Sequence, residues 1–304
     1  MIIGTRGSAL ALAQADLVAA LLKERGFETE RTIIKTSGDL FTDRPLHEVP
    51  GVGAFVRDID DRMLSGELDI AVHSMKDMPT ERPGELATAA VLKRDSSYDV
   101  LLTRDGATLD EMPQGAVIGT TSMRRRSQLL RYRPDLTIKD LRGNIDTRRR
   151  KLKEGQYDGI LLAEAGLQRM GWELDVYQLD PDHFCPSANQ GTVAIVTPRG
   201  TESHKAVALL DHPQSNLETR LERIVIGILG GGCLVPIAAF AETEGDNVRI
   251  RAEVLALDGS RFVKVDEVVP LASCEEEAAR LGHALAQQGG AELVKEAVEK
   301  LSGM

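Results

Sequence analysis

Aromatic residues make up only 4% of the 304-residue sequence, and cysteine occurs three times, at Cys185, Cys233 and Cys274. Thiols so far apart in sequence form neither a disulfide framework nor a zinc-ligand pattern, so all three read as reduced thiols and no metal is expected. No apolar run approaches bilayer length, and the opening MIIGTRGSALALAQA lacks a basic n-region followed by an apolar core and cleavage site. A soluble, cytoplasmic protein with no membrane role is the expectation. No GxGxxG or GxxxxGK[ST] loop follows a strand pattern, which leaves a nucleotide cradle unsupported. Positive charge is short as well: the formal net charge of -10 argues against a generic nucleic-acid binder.

What the chain does have is length and alternation. At 304 residues with 42% hydrophobic content, two or three domains with ordinary cores are expected. MIIGT, ETERTIIKT and ELDIAVHS read as strands, while SALALAQADLVAALLKER (with Ser8 near its start) and AFVRDIDDRMLSG read as helices. This alternation predicts an α/β fold with buried, largely parallel strands. The pattern then recurs. IGTRGSALALAQ at 3–14 is similar to IGTTSMRRRSQ at 118–128, and GELDIAVHS at 66–74 to GQYDGILLA at 155–163, in the same order. Any two βαβ units share some of this, but the paired order predicts two α/β lobes of similar build around a cleft, the usual place for a ligand. Their expected spans are 1–93, with a return at about 190–210, and 98–185. From 213 onward, one helix ending in glycines, three strand-like runs with a DG turn, and two closing helices predict a small α+β third domain over 213–304.

The acidic chain concentrates arginine in two places, SMRRRSQLLRYRP and LRGNIDTRRRKLK, with Arg6 in a further turn. For many of these residues a solvated helix face is explanation enough. Arg6, Arg124 and Arg142, however, follow predicted strands at or near helix N-termini, where backbone N–H groups already favour anions. Arginine over lysine suits bidentate recognition of carboxylate or phosphate, so a ligand with several carboxylates fits. Nucleic acid is a rival that the arginine clusters alone do not remove. HSMKDMPT follows the strand LDIAV directly, so His73, Lys76 and Asp77 sit at or beyond a strand's carboxyl end, the favoured place for a site in an open α/β sheet. An ordinary polar turn ended by Pro79 would read the same way. Lys76 could hold an anion there, and Asp77 could face a developing cation. Cys233, in GGGCLVPI, stands alone in a slim glycine turn.

Taken together, GTRGSALALAQA, HSMKDMP, GTTSMRR, LRGNIDTR, YDGILLAEAGLQR and GGGCLVPI occur in the order and spacing of the hydroxymethylbilane synthase (porphobilinogen deaminase) family, and the chain resembles that family along nearly its whole length. The resemblance implies a transferase that joins four porphobilinogen units head to tail with loss of ammonia, and a three-domain fold whose first two lobes are periplasmic-binding-protein-like. It implies a dipyrromethane cofactor, thioether-linked to Cys233. By matching motif it implies that Arg6, Ser8, Arg124, Arg125, Arg142, Arg148 and Arg169 bind carboxylates, assisted by Gln14, Lys76 and Ser122. Asp77 is then the catalytic group, set against an azafulvenium cation left by ammonia. A monomer with no nucleic-acid partner is expected. Three positions depart from the common pattern: Val52 stands where many members carry lysine, Asn189 where glycine is frequent, and Val196 where an acid often appears. Cys185 has no family role. A bilobal polycarboxylate-binding protein without catalysis is the alternative; it leaves Asp77 and Cys233 without a task.

Overall fold

The computed structural model of the chain describes residues 1–35, 54–230 and 235–302. They form two compact units: Met1–Asp95 with Gln168–Trp172 and Gly191–Leu217, and Ser96–Leu167 with Glu173–Gln190 and Glu218–Met304.

The first unit is built on β1 (Ile2–Thr5), α1 (Ala9–Glu24), β2 (Glu30–Ile33), α2 (Ala54–Leu64), β3 (Ile70–Ser74), β4 (Leu86–Val91), β10 (Val193–Pro198) and α6 (Glu202–Ala208). Its sheet runs β2-β1-β3-β10-β4, with β1 parallel to β2 and β3, and β10 antiparallel to β3 and β4. Apolar side chains cover both faces. Ile3, Ile70 and Val72 pack with Val18 and Leu22 of α1, while Ala71 and Val196 pack with Val56, Ile59 and Met63 of α2. Two-sided burial is why these strands read as unbroken aliphatic runs.

The second unit carries β5 (Asp99–Thr103), β6 (Val117–Gly119), α3 (Met123–Tyr132), β7 (Thr137–Lys139), α4 (Ile145–Lys153), β8 (Gly159–Ala163), α5 (Glu164–Arg169, whose last residues fall in the first unit) and β9 (Tyr177–Gln178). Its sheet order, β7-β6-β8-β5-β9, repeats the first in order and strand sense. The repeat extends to side chains. Asp69 accepts from Ile2 N at 2.7 Å, and Asp158 accepts from Val117 N at 2.8 Å, so each fixes the start of a central strand. A Cβ on Gly4 would stand 2.4 Å from a Leu68 methyl carbon, and one on Gly119 would stand 2.8 Å from the Tyr157 ring. The residue before each aspartate therefore crosses over a glycine of the neighbouring strand, which accounts for the recurring Gly-Thr.

The sheets differ from expectation in being mixed. The first-unit sheet receives β10 after the chain has passed through Ser96–Leu167 and Glu173–Gln190 of the second unit, and that strand enters antiparallel between β3 and β4. Local periodicity carries no record of so distant a pairing.

Residues 213–302 supply α7 (Pro213–Leu229), the sheet β11-β12-β13 (Ile237–Glu244, Asn247–Leu255 and Phe262–Pro270), α8 (Cys274–Leu285) and α9 (Ala291–Ser302). From Glu218 onward this α+β element, with its own sheet, forms one compact unit with the β5–β9 region. The joint is tight. A Cβ on Gly259, which has φ +73, would lie 2.5 Å from Ser127 O and 2.6 Å from Arg131 N of α3. Arg131 Nη1 also donates to Glu253 Oε2 of β12 at 2.6 Å. No helix among the described residues is long and apolar enough to cross a membrane.

Candidate functional site

In the first unit, the segment after β1 and the end of β3 line a cavity of about 90 Å3, to which Arg6, Ser8, Gln14, His73, Ser74 and Asp77 contribute. Thr5 Oγ1 donates to Ala11 O at 3.1 Å and fastens the turn between β1 and α1. Ser8 is the N-cap of α1, its hydroxyl accepting from Ala11 N at 3.3 Å, and the first helical turn contains no acidic residue. A helix start with an arginine beside it and no carboxylate of its own favours an anion from outside. Gln14, buried in α1, donates to Ser74 Oγ at 2.9 Å and ties the helix to the end of β3.

Beyond Ser74 the chain makes one 3-10 turn over Met75–Asp77, closed by Met78 N–H to Met75 O at 3.1 Å. Met75 and Met78 are buried and anchor the turn, leaving Lys76 half-buried and Asp77 exposed between them. The sequence places a cation and a carboxylate where two apolar anchors fix the backbone. His73 is only 7% exposed, and its Nε2 has no hydrogen-bond partner. Burial, reinforced by the guanidiniums of Arg82 and Arg6, pushes its imidazole down to about 3. It is an uncharged wall of the cavity rather than a proton donor.

In the second unit, α3 starts at Ser122, whose Oγ accepts from Arg125 N at 3.5 Å. Arg124 and Arg125 share a partner within the protein. Both are buried and turned onto Asp99 at the head of β5: Arg124 Nη1 lies 2.7 Å from Oδ2, and Arg125 Nη2 lies 2.7 Å from Oδ1. Gln190 Nε2 adds a bond to Oδ1 at 2.8 Å. Burial works against the Asp99 charge, but the two guanidiniums outweigh it and hold the carboxyl well below the usual carboxylate range. The physical reason lies in α3 itself. Its first turn carries arginines and no acid, opposing the helix dipole, and an anion from a neighbouring strand offsets that conflict. One carboxylate against two guanidiniums still leaves positive charge over, and Arg124 Nε is buried without a hydrogen-bond partner.

Arg142 lies half-buried in the turn between β7 and α4, where Lys151 Nζ donates to its carbonyl at 3.4 Å. Asn144 caps α4 by accepting from Thr147 N at 2.9 Å, and Arg148 Nε donates to Gly143 O at 2.8 Å. Gly143 has φ +107, and a Cβ there would meet a Thr147 methyl carbon at 2.6 Å, so the Arg-Gly-Asn turn requires its glycine. Arg169 has partners within the first unit. Its Nε donates to Asp95 Oδ2 at 2.7 Å and its Nη2 to Gly191 O at 2.6 Å, which makes it first a clamp on two chain segments of the first unit. Cys233 and Val52 lie outside the described residues.

Residues 1–206 match the family described as "Porphobilinogen deaminase, dipyromethane cofactor binding domain", and residues 216–288 match "Porphobilinogen deaminase, C-terminal domain". The chain belongs to the porphobilinogen deaminase family. A protein of Methanococcoides burtonii named probable porphobilinogen deaminase is 62% identical over 305 residues, covering 100% of this chain and 99% of its own length. The porphobilinogen deaminase of Syntrophomonas wolfei is 42% identical over 299 residues, covering 97% of each chain. Among solved structures, an ancestral cationic amino acid solute binding protein aligns with a TM-score of 0.41 and 16% identity, over 69% of this chain and 87% of that one. Family membership leaves the non-catalytic polycarboxylate-binding alternative unfavoured.

Two departures from the family pattern have local explanations. Asn189 has φ 61 and is the one non-glycine with positive φ among the described residues; asparagine tolerates this left-handed region better than most. Its Nδ2 donates to Thr219 O at 2.9 Å, and its backbone N–H donates to Glu222 at 2.6 Å. Val196 sits in β10 within an apolar cluster, where a carboxylate would be buried. Cys185 packs against Ala238 and Phe240, and burial pushes its thiol well up, so it is a core residue. Asp99 is a further residue of this group that the arginine motifs do not point to. The available signal was an aspartate leading the apolar strand DVLLT, since a carboxylate buried there must have a cationic partner.

Proposed function

We propose that this chain is a hydroxymethylbilane synthase, condensing four porphobilinogen units head to tail with release of one ammonia each, for tetrapyrrole synthesis. The observation that carries the reading is the shared cavity: Asp77 lines the same small space as Arg6, Ser8 and Gln14. Porphobilinogen bears an acetate and a propionate, and these suit a guanidinium, a hydroxyl and an amide set at the start of α1. Departure of ammonia leaves a substrate cation delocalised onto the pyrrole nitrogen. A carboxylate fixed in advance by the Met75 and Met78 anchors stabilises such a charge without reorganising, and Asp77 also accepts and returns protons at the pyrrole N–H and α-carbon. Lys76, beside it, serves a carboxylate.

The second unit suits a polycarboxylate cofactor. Positive charge in excess of Asp99 and the orphaned Arg124 Nε–H call for another acceptor, and the donors are of the class that pairs with carboxylates. Ser122, Arg124, Arg142 and Arg148 would hold the dipyrromethane side chains. Arg125 and Arg169 act at one remove through Asp99 and the Asp95–Gly191 clamp. The thioether anchor is Cys233, by its motif. When bound, the cofactor supplies an anchored pyrrole carbon as acceptor for the first unit. We read the protein as a cytoplasmic monomer that binds no nucleic acid, in keeping with its acidic charge and few aromatics.

Intact-mass measurement of the purified protein tests the assignment: an added dipyrrole is expected, absent from Cys233→Ser. An active, unmodified protein would overturn the Cys233 assignment. Asp77→Ala should fold normally and lose turnover by at least about two orders of magnitude. Turnover near the parent rate would remove Asp77 from the chemistry.

A further inference from the structure

Arg124 is held from behind by a buried chain that reaches the C-terminal sheet. Its Nη1 donates to Gln128 Oε1, one turn along α3, at 2.9 Å, besides Asp99 and Cys185 O. Gln128 is 0% exposed, so the orientation of its amide is set by protein neighbours alone. Its Nε2 donates to Cys185 O at 2.8 Å and to Glu253 Oε1 at 2.6 Å. Glu253, on β12, is 3% exposed, and its other oxygen accepts from Arg131 Nη1 at 2.6 Å. The two acceptors together require the NH2 end of Gln128 to face β12, and that turns its oxygen toward Arg124. With the Glu253 carboxylate gone, the flipped amide loses one of its two opponents. Its NH2 would then meet the Arg124 guanidinium, donor against donor.

We propose that Glu253, acting through Gln128, is a positioning residue for Arg124, so that the C-terminal sheet fixes the direction of a carboxylate-binding guanidinium on α3. This rests on the reading of Arg124 as a ligand for substrate or cofactor carboxylates. Neither Glu253 nor Gln128 touches the ligand; the carboxylate selects the amide orientation, and the amide oxygen holds the guanidinium.

Three single variants separate this role from plain stabilisation of the joint. Glu253→Met and Gln128→Met each break the relay, whereas Arg131→Met leaves the Gln128–Glu253 contact in place and removes the ion pair to Glu253 together with the Arg131 contacts to His183 O and the Phe262 ring. KM and kcat for porphobilinogen, the unfolding midpoint, and the rate at which apoprotein takes up the dipyrromethane adduct, followed by intact mass, are measured for all three. Glu253→Met and Gln128→Met are expected to raise KM about tenfold, the scale of one misdirected charge-assisted hydrogen bond, and to slow adduct uptake, with kcat within about twofold. Arg131→Met is expected to lower the unfolding midpoint with KM and uptake unchanged. The double variant Gln128→Met/Glu253→Met should have a KM no higher than the worse single, because both act on one chain of contacts. Arg131→Met raising KM as much as Glu253→Met, or a multiplicative double variant, would overturn the proposal. Should Gln128→Met fail to fold, Glu253→Met against Arg131→Met carries the same comparison. Arg124→Lys tests the underlying reading separately. An unchanged KM there refutes Arg124 as a ligand; a raised KM there with parental values in both relay variants refutes only the relay.

Discussion

Replacing His73 with asparagine should remove a pH dependence of stability that the wild-type protein carries. The imidazole sits in β3 at 7% exposure, with Nε2 unpartnered and the guanidiniums of Arg82 and Arg6 near enough to repel a proton. Its folded value, about 3, lies far below the ordinary 6.5. Below the ordinary value the unfolded chain therefore takes up a proton that the folded chain refuses, and stability is lost as pH falls. The slope is about 1.4 kcal/mol per pH unit once the unfolded imidazole is protonated. From about pH 7.5 to about pH 5 the loss comes to about 2 kcal/mol. Urea unfolding of wild type and His73→Asn across that interval isolates the effect, because the remaining histidines contribute equally to both proteins and cancel in the difference. The wild-type advantage or deficit at about pH 7.5 is immaterial. What counts is that the difference shifts by about 2 kcal/mol against the wild type on acidification. A difference constant to within about 0.5 kcal/mol would mean that the imidazole titrates normally, and it would remove the account of an uncharged cavity wall.

Asp99→Asn leaves two buried guanidiniums around a neutral amide and should lower unfolding free energy by about 3–5 kcal/mol in chemical denaturation, whereas a loss under about 1 kcal/mol would show that solvent reaches Arg124 and Arg125. Gly259→Ala would set a Cβ 2.5 Å from a backbone oxygen of α3 at φ +73, and a cost of about 1–3 kcal/mol is expected from thermal unfolding. An unchanged midpoint would mean that the hairpin does not press on α3 in solution. Cys185, buried and with its thiol pushed up, should resist alkylation near neutral pH in the native protein and react fully once unfolded; peptide mapping after iodoacetamide reads this directly. Fast native labelling would place it nearer solvent.

Much of the fold was legible because the physics is local. The Ser8 cap and the aliphatic run of β3 follow from nearest neighbours, whereas the repeated Gly-Thr and aspartate pairs were legible only as a recurrence, since Asp69 reaches Ile2 across 67 residues and Asp158 reaches Val117 across 41. Asp77 and Arg6 were legible for a related reason: both follow a strand directly, so position along the chain fixes position in the sheet. The strand β10, the burial of Arg124 and Arg125 on Asp99, and the Gln128–Glu253 contact were not legible. Each joins residues far apart in sequence, and the chain between them bears no trace of the pairing. The clamp made by Arg169 was not legible either, because a guanidinium takes a carboxylate and a carbonyl of its own protein as readily as those of a guest.

The late entry of β10 bears on how the protein is made. Between the end of β4 at Val91 and the start of β10 at Val193, roughly 100 residues must leave the ribosome. At about 5–20 residues per second, the N-terminal sheet waits on the order of 5–20 seconds with the β3 edge open and β4, whose ladder is with β10, unpaired. During that interval two strand edges, aliphatic on both faces, stand ready to pair with any extended segment. Synthesis at low temperature or on slow codons lengthens the exposure, and chaperone dependence of the nascent chain should concentrate there.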